Sequence, residues 1–153
     1  MKKIIPHLWF DTQAKEAAEY YVSVFPNSKI TNSITLHNTP SGDTDMVSFE
    51  LSGQPFMAIS AGPLFKFNEA VSFVVPCEDQ KEIDYYWEKL SVDPKSEQCG
   101  WCKDKFGLSW QIAPMALMGK IMGNKDKQKG ARAMQEMMKM KKIDIATLEK
   151  AAE

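Results

Sequence analysis

The stretch IIPHLWF at residues 4–10 runs into AKEAAEYYVSVF at residues 14–25, and this succession decides the fold. Apolar side chains in the second stretch recur at helical spacing, at Ala14, Ala17, Ala18, Tyr21, Val22 and Phe25. A 3.6-residue period of this kind predicts a helix with one buried face. The first stretch is short and rich in β-branched and aromatic residues, which predicts a strand.

The same succession returns in the second half of the chain. Residues 70–75 read AVSFVV, and residues 80–90 place Ile83, Tyr86, Trp87 and Leu90 on one helical face. Short strands are predicted after each copy, at residues 30–36, 44–51, 55–61, 97–102 and 108–113. Because a half-size copy cannot close a core alone, duplicated units share one, and a pocket tends to form at their seam.

These patterns predict an α+β fold built from two paired βαβββ modules. The modules are expected at residues 1–62 and 68–113, which together make one domain at residues 1–113. Residues 114–153 contain seven methionines, at Met115, Met118, Met122, Met134, Met137, Met138 and Met140. We predict two or three short helices in this extension, covering the sheet or contacting a second subunit, and therefore a homodimer.

Composition excludes several classes of function. The chain has 153 residues, 19 basic and 20 acidic, so its net charge of −1 gives no field that would attract nucleic acid or a membrane surface. Residues 1–10 hold only a short apolar stretch interrupted by Pro6, which indicates a strand and not a signal peptide. Three cysteines do not make a disulfide framework. We expect a cytoplasmic protein with a small-molecule ligand as its partner.

Strand alternation assigns two faces to the predicted sheet. The apolar set, expected to lie under the helices, is Leu8, Phe10, Val47, Phe49, Leu51, Met57, Ile59, Val71, Phe73, Val75, Leu108, Trp110 and Ile112. The opposite set is His7, Trp9, Met46, Ser48, Glu50, Phe56, Ala58, Ser60, Ala70, Ser72, Ser109 and Gln111. Mixed aromatic and polar side chains are typical of a small-molecule cavity, and a solvated outer face is the alternative.

The candidate ligand-binding residues are seven from the second face, Trp9, Ser48, Phe56, Ser60, Ser72, Ser109 and Gln111, together with Gln98. His7 is a candidate general base because imidazole titrates near neutral pH, although a strand histidine is more often only hydrogen-bonded. If it is enclosed, Glu50 is a second catalytic candidate or a partner for a cationic ligand. Cys99 and Cys102 form a CxxC, but strand spacing would separate them, which favours two unreactive thiols.

Several sequence motifs, taken together, are characteristic of one protein family. PHLWFD at residues 6–11, FKFNEA at 65–70, QCGW at 98–101, DKFGLSWQ at 104–111 and AMQEMM at 133–138 resemble the PhnB-like branch of the glyoxalase, or vicinal oxygen chelate, superfamily. The resemblance implies paired modules whose curved sheet encloses a cavity, usually in a dimer. Members often carry the label 3-demethylubiquinone-9 3-methyltransferase. No strand-linked glycine-rich loop for a nucleotide cofactor is present, so we expect no cofactor and no methyl transfer.

Metal-dependent members of the superfamily place four His or Glu ligands on inward strand positions. By the resemblance these correspond to His7, Ala58, Ala70 and Gln111. Two alanines offer no donor, and a neutral amide is a poor replacement for a carboxylate. We therefore predict no metal site and metal-independent binding or conversion of a small molecule. The alternatives are a divalent-metal lyase, isomerase or dioxygenase with other ligands, and a non-catalytic interaction module acting through the Met-rich extension.

Overall fold

The computed structural model describes residues 4–153, so residues 1–3, the start of the first predicted module, lie outside the described residues. The chain divides into two compact units, Met1–Phe67 and Asn68–Glu153, called unit 1 and unit 2 below. Each unit contains a strand, a helix and further strands in that order. The predicted α+β class and the duplicated succession are therefore confirmed.

Unit 1 is a four-stranded sheet with one helix. Its elements are β1 (His7–Phe10), α1 (Ala14–Val24), β2 (Lys29–Thr39), β3 (Gly42–Leu51) and β4 (Gln54–Ser60). The strand order is β1-β4-β3-β2, with β1 parallel to β4 and the other pairs antiparallel. The connection between the strands predicted at residues 30–36 and 44–51 is shorter than expected, because β2 continues to Thr39 and a tight turn with Gly42 at φ 85° leads into β3.

One face of this sheet packs against α1, and we call it the helix face. Tyr21 of α1 stacks on Phe49 with ring centroids 6.4 Å apart, and Phe49 stacks on Phe56 at 5.4 Å. The register pairs Val47 and Leu8 with Ala58, so all these side chains lie on the same side. They are buried and form the core of unit 1. The opposite side is called the open face.

The predicted faces of β4 are reversed. Phe56 and Ala58 are buried on the helix face, whereas Met57 and Ile59 lie half-buried on the open face. Ser60 also belongs to the helix side, where its Oγ accepts a hydrogen bond from the Ala14 backbone N–H at 3.0 Å. The error has a simple cause, since four consecutive apolar residues in β4 contain no alternation that could select a face.

Unit 2 is a three-stranded sheet followed by three helices. Its elements are β5 (Ser72–Pro76), α2 (Gln80–Leu90), β6 (Trp101–Lys103), β7 (Ser109–Ala113), α3 (Met115–Met122), α4 (Lys127–Met137) and α5 (Ile145–Ala151). The strand order is β5-β7-β6, with β5 parallel to β7 and β6 antiparallel to it. The extension forms three short helices, as predicted. Val71, predicted for the helix-covered face, instead precedes β5 and is exposed.

The predicted strand at residues 97–102 is interrupted by a turn. Cys99 and Gly100 have φ angles of 50° and 84°, so the pleated backbone begins only at Trp101. This turn holds the extension: the Cys99 N–H donates to the Met140 carbonyl at 2.8 Å and the Gly100 N–H to the Lys141 carbonyl at 2.7 Å. Ile143 is fully buried next to this attachment. The extension therefore packs on its own chain in this region.

Membrane crossing was not expected from the sequence. None of the helices formed by residues 4–153 has the length and hydrophobicity that a bilayer span requires.

Candidate functional site

A pocket of about 720 Å³ opens at one end of the open face of unit 1. Its wall is formed by the ends of β1 and β4, the turn between β2 and β3, the first residues of β3, and the segment that follows β4. The lining includes Trp9, Ile59, Ala61 and Leu64. Small-molecule sites are usually pockets of this size with mainly apolar walls.

Trp9 connects the pocket to the sheet. Its neighbours Leu8 and Phe10 are buried on the helix face, so strand alternation directs the indole to the open face. The indole Nε1–H donates to the Gly62 carbonyl at 2.9 Å, and the ring meets Phe65 edge-on with centroids 5.0 Å apart. Gly62 has a φ of 90°, a backbone conformation that favours glycine. These contacts fix the segment after β4 beside the pocket.

Hydroxyl groups in and beside the β2–β3 turn also line the pocket. Ser41 Oγ donates to the Ala61 carbonyl at 2.8 Å, which ties the turn to the end of β4. Thr39 Oγ1 donates to the Gly42 carbonyl at 2.7 Å and lies 2.9 Å from Thr44 Oγ1. Thr44 is buried although it is polar. These three residues were not predicted from the sequence, because they occupy loop and strand-start positions that belong to no motif.

The two predicted catalytic candidates of unit 1 lie on the open face but do not line the pocket. His7 is exposed and pairs in register with Met57. Glu50 is half-buried, with its Oε2 3.6 Å from the exposed Nζ of Lys29. Ser48, a predicted ligand-binding residue, lies half-buried between them on β3. Only Trp9 of the predicted residues in unit 1 is part of the pocket wall.

Three of the four predicted residues of unit 2, all except Ser109, form side-chain hydrogen bonds within the unit. Gln111 Nε2 donates to Ser72 Oγ at 2.8 Å across the β5–β7 pair. Ser109 is fully buried, and its Oγ has no hydrogen-bond partner among the described residues. Gln98 Nε2 donates to the Met138 carbonyl at 2.8 Å, so this side chain holds the C-terminal extension. Their roles as ligand-binding residues stay predictions.

Asp104 is the first residue of the DKFGLSWQ motif, and it organises the loop between β6 and β7. The carboxylate is almost fully buried. Its Oδ1 accepts from the backbone N–H groups of Phe106 at 2.8 Å and Leu108 at 3.1 Å, and its Oδ2 accepts from Trp110 Nε1 at 2.8 Å. Three donors on one buried carboxylate fix the loop between β6 and β7. The motif thus corresponds to a loop that is held by side-chain hydrogen bonds. This structural role is not evident from the sequence alone.

The cysteines have no features of a redox pair. All three are free, and burial raises the pKa of Cys77 and of Cys102 to about 12. A thiol with such a pKa stays protonated at neutral pH and is a poor nucleophile. Cys99 lies in the turn before β6, whereas Cys102 lies within the strand. The two cysteines of the CxxC therefore lie in different local structures, a turn and a strand.

The positions that correspond to metal ligands carry few donor atoms. Ala58 lies on the helix face, and the open-face residue beside His7 is Met57, whose thioether is a poor ligand for hard divalent ions. Ala70 precedes β5 and carries no donor atom. Among residues 4–153, no three His, Cys, Asp or Glu side chains come together in a group that could hold a metal ion. These residues do not fit the metal centre of metal-dependent relatives.

Comparison with known families identifies the chain. The family described as 3-demethylubiquinone-9 3-methyltransferase matches residues 2–113. The PhnB protein from Bacillus cereus is 35% identical over 73% of this chain and 98% of its own, with a TM-score of 0.61. This chain belongs to the PhnB-like family. The family is part of the vicinal oxygen chelate superfamily, as the resemblance predicted.

More distant structures share the fold of the PhnB-like chain. Protein PA1353 from Pseudomonas aeruginosa is 17% identical, with coverage of 73% and 96% of the two chains and a TM-score of 0.57. The fosfomycin resistance protein FosX from Listeria monocytogenes is 13% identical, with coverage of 74% and 92% and a TM-score of 0.51. A comparison with curated proteins gave no significant match. Residues 114–153, which form α3 to α5, lie beyond the family match.

Proposed function

We propose that this PhnB-like chain binds a small molecule in the pocket of unit 1, on the open face beside Trp9. The observation that carries the proposal is the pocket itself, about 720 Å³ in volume and built around an aromatic side chain that two contacts hold in place. Whether a bound molecule is also converted is a separate question. His7 and Glu50 stay catalytic candidates, because each is accessible on the same open face.

We also propose that binding needs no divalent metal ion. The support is the donor set: of the four positions that correspond to metal ligands, His7 alone carries a strong donor, and Gln111 is hydrogen-bonded to Ser72. The competing function is a metal-dependent lyase, isomerase or dioxygenase with other ligands. Metal analysis of protein purified without chelators separates the two, since a tightly bound stoichiometric metal would reject our proposal.

Binding in the pocket is tested with two matched substitutions on β4. Ile59 lines the pocket, whereas Met57 lies two residues away on the same face and does not. Ile59→Trp should fill the space and remove binding of any molecule that native mass spectrometry finds on the purified protein, while Met57→Trp should keep it. Equal retention by both variants would place the bound molecule elsewhere. Loss in both would indicate a general disturbance of the open face.

The methyltransferase description of the family is tested directly. We expect no binding of S-adenosylmethionine at physiological concentration, because such cofactors require a strand-linked glycine-rich loop with an acidic ribose partner. Here Gly100 lies in the turn that holds residues 140 and 141, and Gly107 lies in the loop that Asp104 organises. If isothermal titration calorimetry measured a micromolar affinity of the protein for S-adenosylmethionine, methyl transfer would again be a candidate function.

Cytoplasmic location and a homodimer complete the proposal. Met134 and Met138 lie one helical turn apart at the end of α4 and are 39% and 55% exposed, which supports a contact with a second copy. Other apolar residues of the extension, such as Ile143 and Leu148, are buried within unit 2 and supply no such surface. Light scattering that shows a strict monomer at high micromolar concentration would reject the dimer.

A further inference from the structure

The hydrogen-bond donors of the pocket wall are already used within the protein. The Trp9 indole N–H donates to the Gly62 carbonyl and the Ser41 hydroxyl to the Ala61 carbonyl. The Thr39 hydroxyl donates to the Gly42 carbonyl, so the Thr44 hydroxyl is left to donate to Thr39 Oγ1. All four side-chain donors that line the pocket are thereby committed to internal partners.

The backbone donors at the end of β4 are committed in the same way. The Ala61 N–H donates to the Phe10 carbonyl and the Gly62 N–H to the Asp11 carbonyl, each at 3.0 Å. These bonds continue the pairing of β1 with β4 beyond the last residue of the sheet. A ligand at this position thus meets carbonyl groups and hydroxyl groups that are already bonded.

The rest of the pocket wall is apolar. None of the described residues that line the pocket has a charged side chain. Ile59, Ala61, Leu64, Pro40 and Pro63 supply aliphatic surface. Trp9 adds an aromatic ring whose own N–H is satisfied. An anion that entered this pocket would lose part of its water shell, and the wall offers it no cationic side chain and no uncommitted side-chain donor in exchange. A neutral ring system would lose little hydration and gain contact with the indole.

We infer that the pocket selects uncharged, largely apolar aromatic molecules and rejects anionic ones. This inference rests on the proposed binding function and adds the class of ligand. A pocket of this kind differs from an anion-binding site, which depends on Arg, Lys or free N–H groups directed at the ligand.

Two fluorescent probes with the same ring framework test the inference. N-phenyl-1-naphthylamine is neutral, and 8-anilino-1-naphthalenesulfonate adds one sulfonate. Titration of the full chain should give an affinity for the neutral probe at least about tenfold higher than for the sulfonate, since the charged group has no partner in the pocket. Ile59→Trp should remove the binding of the neutral probe, and Met57→Trp should retain it.

A gain-of-function variant makes the same test independent of loss of folding. Leu64 lines the pocket and is 73% exposed, so an arginine there has room and solvent access. Leu64→Arg should narrow or reverse the preference by improving sulfonate binding, whereas Leu64→Gln should leave the preference for the neutral probe intact.

The outcomes separate the inference from the proposed function. If both probes bind equally well and Ile59→Trp removes both, the pocket binds small molecules but the selectivity is wrong. If neither probe binds, or if Ile59→Trp changes nothing, both claims are overturned. Probe binding that disappears as the protein self-associates would assign the pocket to contact with a second copy and would also overturn the inference.

Discussion

Unit 1 and unit 2 both begin with a strand followed by a helix, but their sheets differ in strand number and in what lies against them. Unit 1 completes four strands and keeps an open face that ends in a pocket. Unit 2 has three strands, because residues 91–100 form no strand, and the turn at Cys99 and Gly100 attaches the C-terminal extension to it. The same module thus keeps an open face with a pocket in one half and provides an attachment for additional helices in the other.

The contrast shows how a duplicated module can divide its tasks. In unit 1 the backbone N–H groups of Ala61 and Gly62, just beyond β4, donate to the Phe10 and Asp11 carbonyls, so neither is available to a ligand in the pocket. In unit 2 the backbone groups of the turn before β6 pair with residues 140 and 141, and Gln80 Nε2 adds a bond to the Ile143 carbonyl at 3.1 Å. Functional prediction for a repeat therefore requires each copy to be considered by itself.

The largest expected effect concerns the two faces of unit 1. Phe49→Ala should lower the free energy of unfolding by about 3–5 kcal/mol, because the ring is buried between Tyr21 and Phe56 and its loss leaves a cavity. Ser48→Ala, the adjacent residue on the open face, should change it by less than about 0.5 kcal/mol. Urea unfolding measures both. A larger effect at Ser48 than at Phe49 would mean that the faces are reversed.

A second prediction addresses the attachment in unit 2. A Cβ atom at Gly100 would lie 2.8 Å from the Ile112 carbonyl oxygen and 3.1 Å from Ile143 Cγ1. Gly100→Ala should therefore cost about 3 kcal/mol, as left-handed strain and a steric clash combine. Gly107 has almost the same φ, but a methyl group added there would meet nothing within 4 Å, so Gly107→Ala should cost only about 1 kcal/mol.

Equal losses for the two glycine variants would show that backbone strain alone accounts for the effect and that the close approach of the extension is unimportant. Limited proteolysis gives an independent measurement. The extension should be cleaved faster in Gly100→Ala than in Gly107→Ala, because only the first substitution disturbs its attachment.

The sequence predicted those elements whose pattern has one interpretation. The helix α2 was predicted with its observed bounds, Gln80–Leu90, because its apolar residues follow a helical stripe; the structure adds an Asp79 N-cap that accepts from the Glu82 N–H. The faces of β4 were not predictable, since its consecutive apolar residues fit either face. The pocket was found only in part, through Trp9. Its other wall depends on hydroxyl and carbonyl partners that are distant in sequence, as with Ser41 and Ala61.

The attachment of the extension was also beyond sequence reasoning, for a different reason. It relies on backbone N–H and carbonyl groups, which every residue carries, so no side-chain pattern announces it. A partial signal was available in Gly100, since a glycine within a predicted strand often indicates a bulge or a close backbone approach.

The smallest expected effect concerns pH and the last helix. Asp144 caps α5, where its Oδ1 accepts from the Thr147 backbone N–H at 2.7 Å, and the hydrogen bonds from Thr147 lower the pKa of this carboxyl below its usual value of 3.8. A carboxyl whose pKa is lower in the folded state stabilises the fold above its unfolded pKa. That contribution is lost as the pH falls through the folded value, so the window lies below about pH 4.

Asp144→Asn separates the charge from the cap, because asparagine is a good N-cap that does not titrate in this range. The wild-type chain should exceed the variant slightly in stability at pH 6, where the charge also favours the helix N-terminus, and this advantage should shrink as the pH falls towards 3. Asp144→Ala should be less stable than both at pH 6, since it lacks the cap. Urea midpoints across this pH range measure the three curves. A constant difference between wild type and Asp144→Asn would show that the ionisation of Asp144 does not stabilise the attached extension, and the comparison of the units would then rest on its backbone contacts alone.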